Sequence, residues 1–424
     1  MPTSTKTAYS VLVNHSSTGF RHACILIINI NFLVWALLFA GPLYGAQTFN
    51  GSVEFEQRLF WQQSPQAQES KGQSSLRLEA EYFLDWNNGD KQLVIEPFLR
   101  LDSIDEERSH FDIRQLLWSK LSYNSEFSVG IGRVFWGVTE SQHLVDVINQ
   151  TDGVENIDGE DKLGQPMIRY SYFNDYGTFD AFLLPYFRTR TFAGEDSRLN
   201  GGILVDNDNE VFQSSSEETH VDFALRYSNT IGDLGIGLSW FSGTSREPDL
   251  FRLFDPRTLS TTPYYALIDQ FGIDLQLTTD AWLYKFEAIQ RNHSESQTED
   301  FAAATIGTEY TFVGVFGTVY DLGALVEYSW DQRDENSGSL FQNDIFVGAR
   351  LVLNDISGSQ LLLGFAQDLD ESTSHTVFVE ASTRLNSKLT ANIELRYFES
   401  DDPADLLFRF RNDSFVQIGL ELYF

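Results

Sequence analysis

The sequence predicts an all-β fold, an antiparallel up-and-down β-barrel that spans a membrane with about 18 strands. Three observations lead to this prediction. Segments throughout the chain alternate between apolar and polar residues with a period of two. The last of them ends the chain on Phe424, and an apolar stretch without acidic residues lies near the N-terminus. Counting such segments allows a range of 16 to 20 strands.

The N-terminal region predicts export. Residues 1–46 contain no Asp or Glu, and they run almost wholly apolar from Ala23 to Ala40 before a short stretch rich in glycine. This is typical of a signal peptide, so we predict a signal peptide over 1–46 and a mature barrel over 47–424. An uncleaved membrane anchor is the alternative, since a spanning helix needs about 20 residues. The only cysteine, Cys24, lies in the predicted leader, so the mature chain would have no disulfide.

The clearest strand pair covers residues 76–101. One face carries Leu76, Leu78, Ala80, Tyr82, Leu84 and Trp86, and the other carries mostly charged side chains. The tight-turn sequence 87–90 leads into the next strand, where Pro97 is unfavourable for a central position. Strands are predicted to begin near residues 51, 75, 91, 109, 126, 166, 178, 219, 232, 267, 280, 303, 318, 342, 359, 375, 387 and 413.

The lengths of the connections between strands and the overall composition exclude some classes of protein. Short and long connections alternate, and we predict long external loops at 138–165, 191–217 and 242–265. The formal net charge is −32, from 61 acidic and 29 basic residues, which argues against nucleic acid as a partner. No stretch after residue 46 is long and apolar enough to span a membrane as a helix.

Inward-facing charged residues are the candidate pore lining, because a barrel of 16 to 18 strands leaves room for an aqueous channel. Charges of both signs across a narrow pore set a transverse field that orients polar solutes. Cross-strand salt bridges that fill the interior are the alternative, and the sequence leaves both open. The pore-lining candidates are Arg77, Glu79, Arg100, Arg169, Asp222, Arg226, Arg350, Glu380, Glu394 and Arg396.

The predicted external loops 138–164 and 191–217 are rich in carboxylates, which at a cell surface can bridge through Ca²⁺ or Mg²⁺. The best local candidate is Asp206-Asn207-Asp208-Asn209-Glu210. It lacks the glycine and the distal glutamate of a complete EF-hand loop, so a solvated acidic loop is favoured over a metal site. We predict no metal and no cofactor.

Catalysis is the less favoured interpretation. Barrel phospholipases resemble one another in a His-x-Ser pair, but Glu295 follows His293 at that spacing and Val377 follows His375. His220 and Asp222 have the residue types of a barrel protease, yet such pairs arise often by chance. We therefore predict that the protein is not an enzyme.

Taken together, residues 47–424 resemble a Gram-negative outer-membrane porin. Gly132-Arg133-Val134-Phe135-Trp136-Gly137, Asp146-Val147-Ile148-Asn149 and the closing segment 411–417 are similar to poorly characterised proteobacterial porin-like barrels. The resemblance implies an outer-membrane location with lipid and lipopolysaccharide as partners. It also implies recognition by the barrel assembly machinery through the last strand, with Leu420, Leu422 and Phe424 as the assembly signal.

The implied function is passive diffusion of small hydrophilic solutes. In general porins the loop after strand five folds inward, so 138–164 is the predicted constriction loop, with Glu140, Asp146 and Asp152 as its acidic residues. One alternative is a plugged surface barrel whose acidic loops bind an ion, a glycan or a partner. The other is a channel for polysaccharide export. Homo-oligomer formation stays open.

Overall fold

The structure is a computed structural model that describes residues 45–63, 70–295, 298–333 and 339–424. The predicted signal peptide therefore lies outside the described residues, apart from Gly45 and Ala46. Residues 46–424 form one compact unit. None of the helices in the described ranges is long and apolar enough to cross a membrane.

Eighteen strands form one closed antiparallel sheet, in which each strand pairs with the next and the last pairs with the first. The first seven are β1 (Gln47–Phe60), β2 (Gly72–Trp86), β3 (Lys91–Asp102), β4 (Phe111–Ser122), β5 (Ser125–Gly132), β6 (Gln165–Asn174) and β7 (Gly177–Leu184). The two-residue strands β8 (Leu204–Val205) and β9 (Val211–Phe212) follow in a loop.

The barrel continues with β10 (Asp222–Ile231) and β11 (Leu234–Thr244), and the short strands β12 (Ser260–Thr261) and β13 (Tyr264–Tyr265) lie in the next loop. The remaining barrel strands are β14 (Leu267–Thr279), β15 (Trp282–His293), β16 (Phe301–Phe312), β17 (Asp321–Asp331), β18 (Asn343–Val352), β19 (Gln360–Asp368), β20 (His375–Asn386), β21 (Leu389–Glu399) and β22 (Phe415–Tyr423). The predicted barrel of about 18 antiparallel strands is confirmed, and every barrel strand begins within four residues of its predicted start.

Local sequence explains two details of the sheet. Asn87, Asn88 and Gly89 have φ values of 59°, 58° and 86°, the left-handed conformation that a tight hairpin turn requires. The register between β3 and β4 shifts between Glu96 and Pro97. Proline has no N–H to donate to the ladder, so a bulge accommodates Pro97 in an otherwise regular strand.

The alternation of the last strand separates two faces as predicted. Ile418, Leu420, Leu422 and Phe424 are 45%, 43%, 49% and 54% exposed on the outer face of the barrel. Gly419, between them, points to the interior and is buried. Aromatic side chains are also exposed near both ends of the strands, among them Trp61, Tyr172, Trp282, Tyr284, Tyr328 and Trp330. This distribution is typical of a barrel with an apolar outer band between aromatic girdles.

The three longest connections span 133–164, 185–221 and 245–266, so their bounds differ from the predicted 138–165, 191–217 and 242–265. The second begins earlier because β7 ends directly before Pro185. Loops 185–221 and 245–266 are joined by two parallel pairings, β8 with β12 and β9 with β13. The first of the three connections, called the inner loop (133–164) below, enters the barrel.

Candidate functional site

The inner loop packs against one half of the lumen wall through an apolar core. Trp136, Val145, Val147 and Ile148 of the loop are buried against inward-facing side chains of the barrel. These wall residues are Met167, Phe182, Leu184, Ala224, Phe241, Ile268, Ile289, Phe301 and Ala303, on strands from β6 to β16. The loop therefore covers this half of the wall, called the covered half below.

Two buried carboxylates attach the tip of the inner loop to the barrel. Glu287 on β15 accepts hydrogen bonds from the backbone N–H of Val138 at 2.6 Å and of Thr139 at 3.0 Å, and from the Thr139 hydroxyl at 2.7 Å. Glu327 on β17 accepts from the backbone N–H and the hydroxyl of Ser141 at 2.8 and 2.7 Å. Both glutamates are at most 1% exposed. Hydrogen bonds to a charged acceptor are the stronger ones, so these two residues fix the loop tip.

The other side of the inner loop is tied by ion pairs to β3, β4 and β21. The guanidinium of Arg100 lies 2.6 Å from the Glu155 carboxylate, and that of Arg114 lies 2.6 Å from Asp152. Arg396 lies 2.8 Å from Asp158. Three carboxylates of this loop therefore face arginines inside the barrel. The expectation that these carboxylates lie at the cell surface is wrong, because the loop folds inward.

Two adjoining cavities lie between the inner loop and the rest of the wall, called the open half below. The outer cavity has a volume of about 1570 Å³ and the inner one about 530 Å³. Residues from the inner loop, from the first strand β1 and from the late strands β18 to β20 line both cavities. The shared lining residues are Arg58, Arg108, Asn156, Arg350, Leu362 and Glu380. This group marks the junction of the two cavities.

The predicted pore-lining residues divide between the two halves. Arg77, Arg100, Arg350, Glu380, Glu394 and Arg396 line one or both cavities. Arg169, Asp222 and Arg226 lie on strands of the covered half and line neither cavity. Arg169 pairs with Glu126 at 2.7 Å, Asp222 with Arg246 at 2.7 Å, and Arg226 with Asp274 at 2.8 Å. Glu79 lies 3.7 Å from Arg77 and is also outside the two linings.

The three predicted constriction residues occupy different environments. Glu140 lines the outer cavity, where its carboxylate lies 3.1 Å from Lys285 and 3.5 Å from Arg350. Asp146 and Asp152 are buried within the seat of the loop, with side chains 1% and 0% exposed. Only Glu140 of these three therefore meets the passage.

Burial shifts the pKa values of several groups in the inner loop. It raises the pKa of Asp146 to about 6, and the charge of Lys162, 3.7 Å away, offsets this only in part. Enclosure, together with the charges of Glu155 and Asp158, raises the pKa of Asp161 to about 7. Burial also acts on Glu160, but the hydrogen bond and charge of His143 outweigh it and lower the pKa of that carboxyl.

Three groups of charged side chains in the described part of the chain have the residue types of a metal or catalytic site. His110, Asp152 and Glu155 could converge on a cation, but Arg100 and Arg114 already pair with the two carboxylates. In the segment 206–210, Asp206 accepts hydrogen bonds from the backbone N–H of Asp208 and the side chain of Asn209. His220 lies 2.8 Å from Asp222, whose other oxygen pairs with Arg246. This aspartate is therefore part of a structural ion pair.

The fold is similar to that of solved porins. A BenF-like porin from Pseudomonas fluorescens Pf-5 matches with a TM-score of 0.52 and 11% identity, over 90% of this chain and 98% of that one. The barrel has the fold of an outer-membrane porin. No family model and no curated protein matches the chain. The resemblance of residues 47–424 to porins is thus confirmed for the fold.

Other solved barrels are more distant in shape. OmpT of Vibrio cholerae, an outer membrane protein in a trimer form, has a TM-score of 0.43 and 13% identity, over 90% of this chain and 99% of that one. A mutant of the Rh. blastica porin has a TM-score of 0.42 and 11% identity, over 89% and 100% of the two chains.

The alternation of β15 and β17 puts Glu287 and Glu327 on the inward face of this porin-like barrel, but alternation alone does not identify them as anchors of the inner loop. The inward neighbours of Glu327 are Leu325 and Ser329, whereas those of Glu287 are Lys285 and Ile289. A carboxylate such as Glu327, with only apolar or small inward neighbours, needs donors, and loop backbone N–H groups are the donors that a fold with an inward loop offers. That combination was the signal available in the sequence.

Proposed function

We propose that the protein is an outer-membrane channel through which small hydrophilic solutes diffuse passively. The observation that carries this proposal is the pair of adjoining cavities beside the inner loop, with their junction at Arg58, Arg108, Arg350 and Glu380. A passage lined by charges of both signs favours hydrated polar solutes over apolar ones. The inner loop is its constriction, and Glu140 and Arg350 face each other there.

The outer surface supports the location. Its exposed side chains are predominantly apolar along the strands, and aromatic residues lie near both strand ends. Such a surface suits outer-membrane lipid, with lipopolysaccharide around the external loops. The last strand, with Leu420, Leu422 and Phe424 on its outer face, is the proposed recognition element for the assembly machinery. A signal peptide over residues 1–46 and assembly into homo-oligomers belong to the same proposal.

Conductance in a planar bilayer tests the function. The purified protein should give discrete single-channel steps, and a salt gradient should give a reversal potential that depends on the charges of the passage. Heat resistance of the folded barrel in detergent is the control for correct folding. A folded barrel that produces no steps would contradict the proposal and favour a plugged barrel whose loops bind a partner.

A further inference from the structure

The long connection 185–221, called the strap below, leaves the sheet after β7 and returns to it at β10, a neighbouring strand of the covered half. Between these ends it reaches a distant part of the barrel, the seam where β1 pairs with β22. On the way, Thr191 bridges to Asp152 of the inner loop, and the Gly194 N–H donates to Asp105 at 3.2 Å, in the connection between β3 and β4. The strap therefore joins two separate parts of the barrel wall.

A buried arginine attaches the strap to the seam. Arg198 is the first residue of a short 3-10 helix, and its side chain is 3% exposed. Its guanidinium donates to the Asp413 carboxylate at 2.9 Å and to the backbone carbonyls of Gln62 and Asn412. It also lies 4.4 Å from the centre of the Phe60 ring. We call Arg198 and Asp413 the latch.

The latch has the chemistry of a strong and specific tie. An arginine that loses its hydration is stable only if its donors find acceptors. The ends of β1 and β22 provide three acceptors and an aromatic ring for Arg198. A planar guanidinium serves such a set of partners, whereas a lysine amine offers one point charge. Loss of either latch residue would leave the other one buried without its counter-charge, which favours release of the strap.

The part of the strap around the latch forms a wall of the outer cavity. Its lining residues are Ser197, Leu199, Asn200, Gly201 and Ile203. Leu199 also packs against the apolar cluster at the seam, which contains Phe60 and Phe415. Gly201 has a φ of 61°, and a Cβ on it would lie 3.1 Å from the Phe410 ring, so the strap passes close to the segment before β22. The latch therefore determines where this wall of the cavity lies.

We infer that Arg198 is a positioning residue that sets the size of the largest solute admitted to the outer cavity, a role that rests on the proposed channel function. The latch holds the strap against the seam, where the strap occupies space that a larger solute would need. Glu140 and Arg350 at the constriction act on the charge of a solute, whereas the latch acts on its size through the strap. Release of the latch lets the strap move away from the seam and widens the cavity.

Trypsin tests whether the latch holds, because this protease cleaves after exposed arginines. Arg198 is buried, whereas the side chain of Arg257 in the neighbouring connection 245–266 is 88% exposed. In the folded full-length wild type we expect cleavage after Arg257 and protection after Arg198. Asp413→Ala should accelerate cleavage after Arg198 at least about tenfold, since one hydrogen bond to a charged group changes an equilibrium by about that factor. Equal rates of this cleavage in the wild type and in Asp413→Ala would contradict the latch.

Polyethylene glycols of graded mass measure the size limit, because a polymer that enters a channel lowers its single-channel conductance. Arg198→Ala and Asp413→Ala should each admit larger polymers than the wild type. The double variant should admit no larger ones than either single variant, because all three break the same latch. Arg198→Lys keeps the charge and should restore part of the wild-type limit.

Arg257→Ala is the matched control, because Arg257 pairs with Asp255 within its own connection. It should leave the size limit unchanged. Heat resistance in detergent verifies that each variant is folded. Asp413→Asn, which removes the charge and keeps the shape of the side chain, takes the place of Asp413→Ala if that variant does not fold.

The outcomes distinguish this inference from the channel proposal. A folded wild type without conductance steps would overturn the channel proposal and this inference with it. Conductance steps with an unchanged size limit in folded Arg198→Ala and Asp413→Ala would overturn the inference alone, because the strap would then not bound the passage. An equal rise of the size limit in Arg257→Ala would also overturn it, since loss of any arginine from these connections would then suffice.

Discussion

The two halves of the lumen wall share the same alternating sequence pattern but have different surroundings. In the covered half, inward residues such as Phe182, Phe241 and Ile289 are buried under the inner loop. In the open half, inward residues such as Arg77 and Arg350 line the cavities. Inward orientation alone therefore does not place a side chain in the passage, because the inner loop decides which of them meet water.

Charged side chains also have different roles in the two halves of the lumen wall. Arg226 in the covered half pairs with Asp274 at 2.8 Å, and its guanidinium lies 5.1 Å from the Trp136 ring of the loop. Arg350 in the open half is 45% exposed. A buried charge with a partner contributes to structure, whereas an exposed one acts on ions and solutes.

Release of the inner loop from the wall should give the largest change, a rise in single-channel conductance. The double change Glu287→Gln and Glu327→Gln removes both charged acceptors of the loop tip, each hydrogen bond to a charge contributing roughly 1.5–3 kcal/mol. We expect the loop to leave its seat and the single-channel conductance to rise severalfold. The distinction between covered and open wall would then disappear.

A matched double variant controls for the lost charge. Glu380→Gln with Glu394→Gln removes the same number of negative charges from the open half and leaves both anchors in place. Its conductance should change far less than that of the anchor variant. Equal conductance changes in the two variants would show that charge, rather than loop position, sets the current.

Truncation of an apolar side chain should lower the free energy of unfolding more in the covered half than in the open half. Trp136 is 4% exposed, and its ring contacts Phe182 with centroids 5.7 Å apart. Trp136→Ala should lower the free energy of unfolding by about 3 kcal/mol or more, because it leaves a cavity in the loop core. Leu362→Ala in the open half should cost roughly 1 kcal/mol, since water can fill the space. Denaturant titration in detergent gives both values, and similar losses would contradict the comparison.

Most of the fold could be predicted from the sequence because strand alternation and turn residues are local signals. The turn at 87–90 and the outward face of β22 follow from a few neighbouring residues. The exact ends of long loops could not be predicted as well. Whether residues 133–137 continue β5 or enter the loop depends on contacts such as Val134 N–H to the Asn149 side chain, 15 residues away.

The candidate site was predicted less completely. Alternation placed Asp222 and Arg350 on the same inward face, and both are inward. It could not show that loop residues 144–148 cover the wall around Asp222, because that packing joins segments far apart in the chain. The anchors Glu287 and Glu327 depend on the same long-range contacts.

A moderate effect of pH on the seating of the inner loop is expected. The pKa of Asp146 is raised from 3.8 to about 6, so its contribution to stability is present at low pH and is lost as the pH rises through 6. The raised pKa values of Asp161 and His143 act in the same direction, whereas Glu160, with a lowered pKa, loses its contribution only below about pH 4.5. Asp146 alone should therefore increase stability by roughly 1 kcal/mol between pH 8 and pH 5, and Asp161 should add to this increase.

Denaturant titrations at both pH values measure this change, and Asp146→Asn separates its causes. The variant removes the titrating group but keeps an oxygen for the Trp136 N–H, which the Asp146 carboxylate accepts at 3.3 Å. We expect a smaller increase in stability between pH 8 and pH 5 than in the wild type. Greater stability of the wild type at pH 8 than at pH 5 would contradict the assignment.

The smallest expected effect is a change in ion selectivity, which we compare for one arginine from each half. At about 8 Å in water a unit charge changes the energy of a passing ion by about 0.5 kcal/mol, or about twofold in relative permeability. Arg350→Gln should shift the reversal potential toward cation selectivity by about that factor, because Arg350 borders both cavities. Arg226→Gln should leave it nearly unchanged, since the inner loop lies between Arg226 and the passage and Asp274 neutralises it. Equal shifts in the two variants would mean that ions also reach the covered half, and the division of the wall would then be wrong.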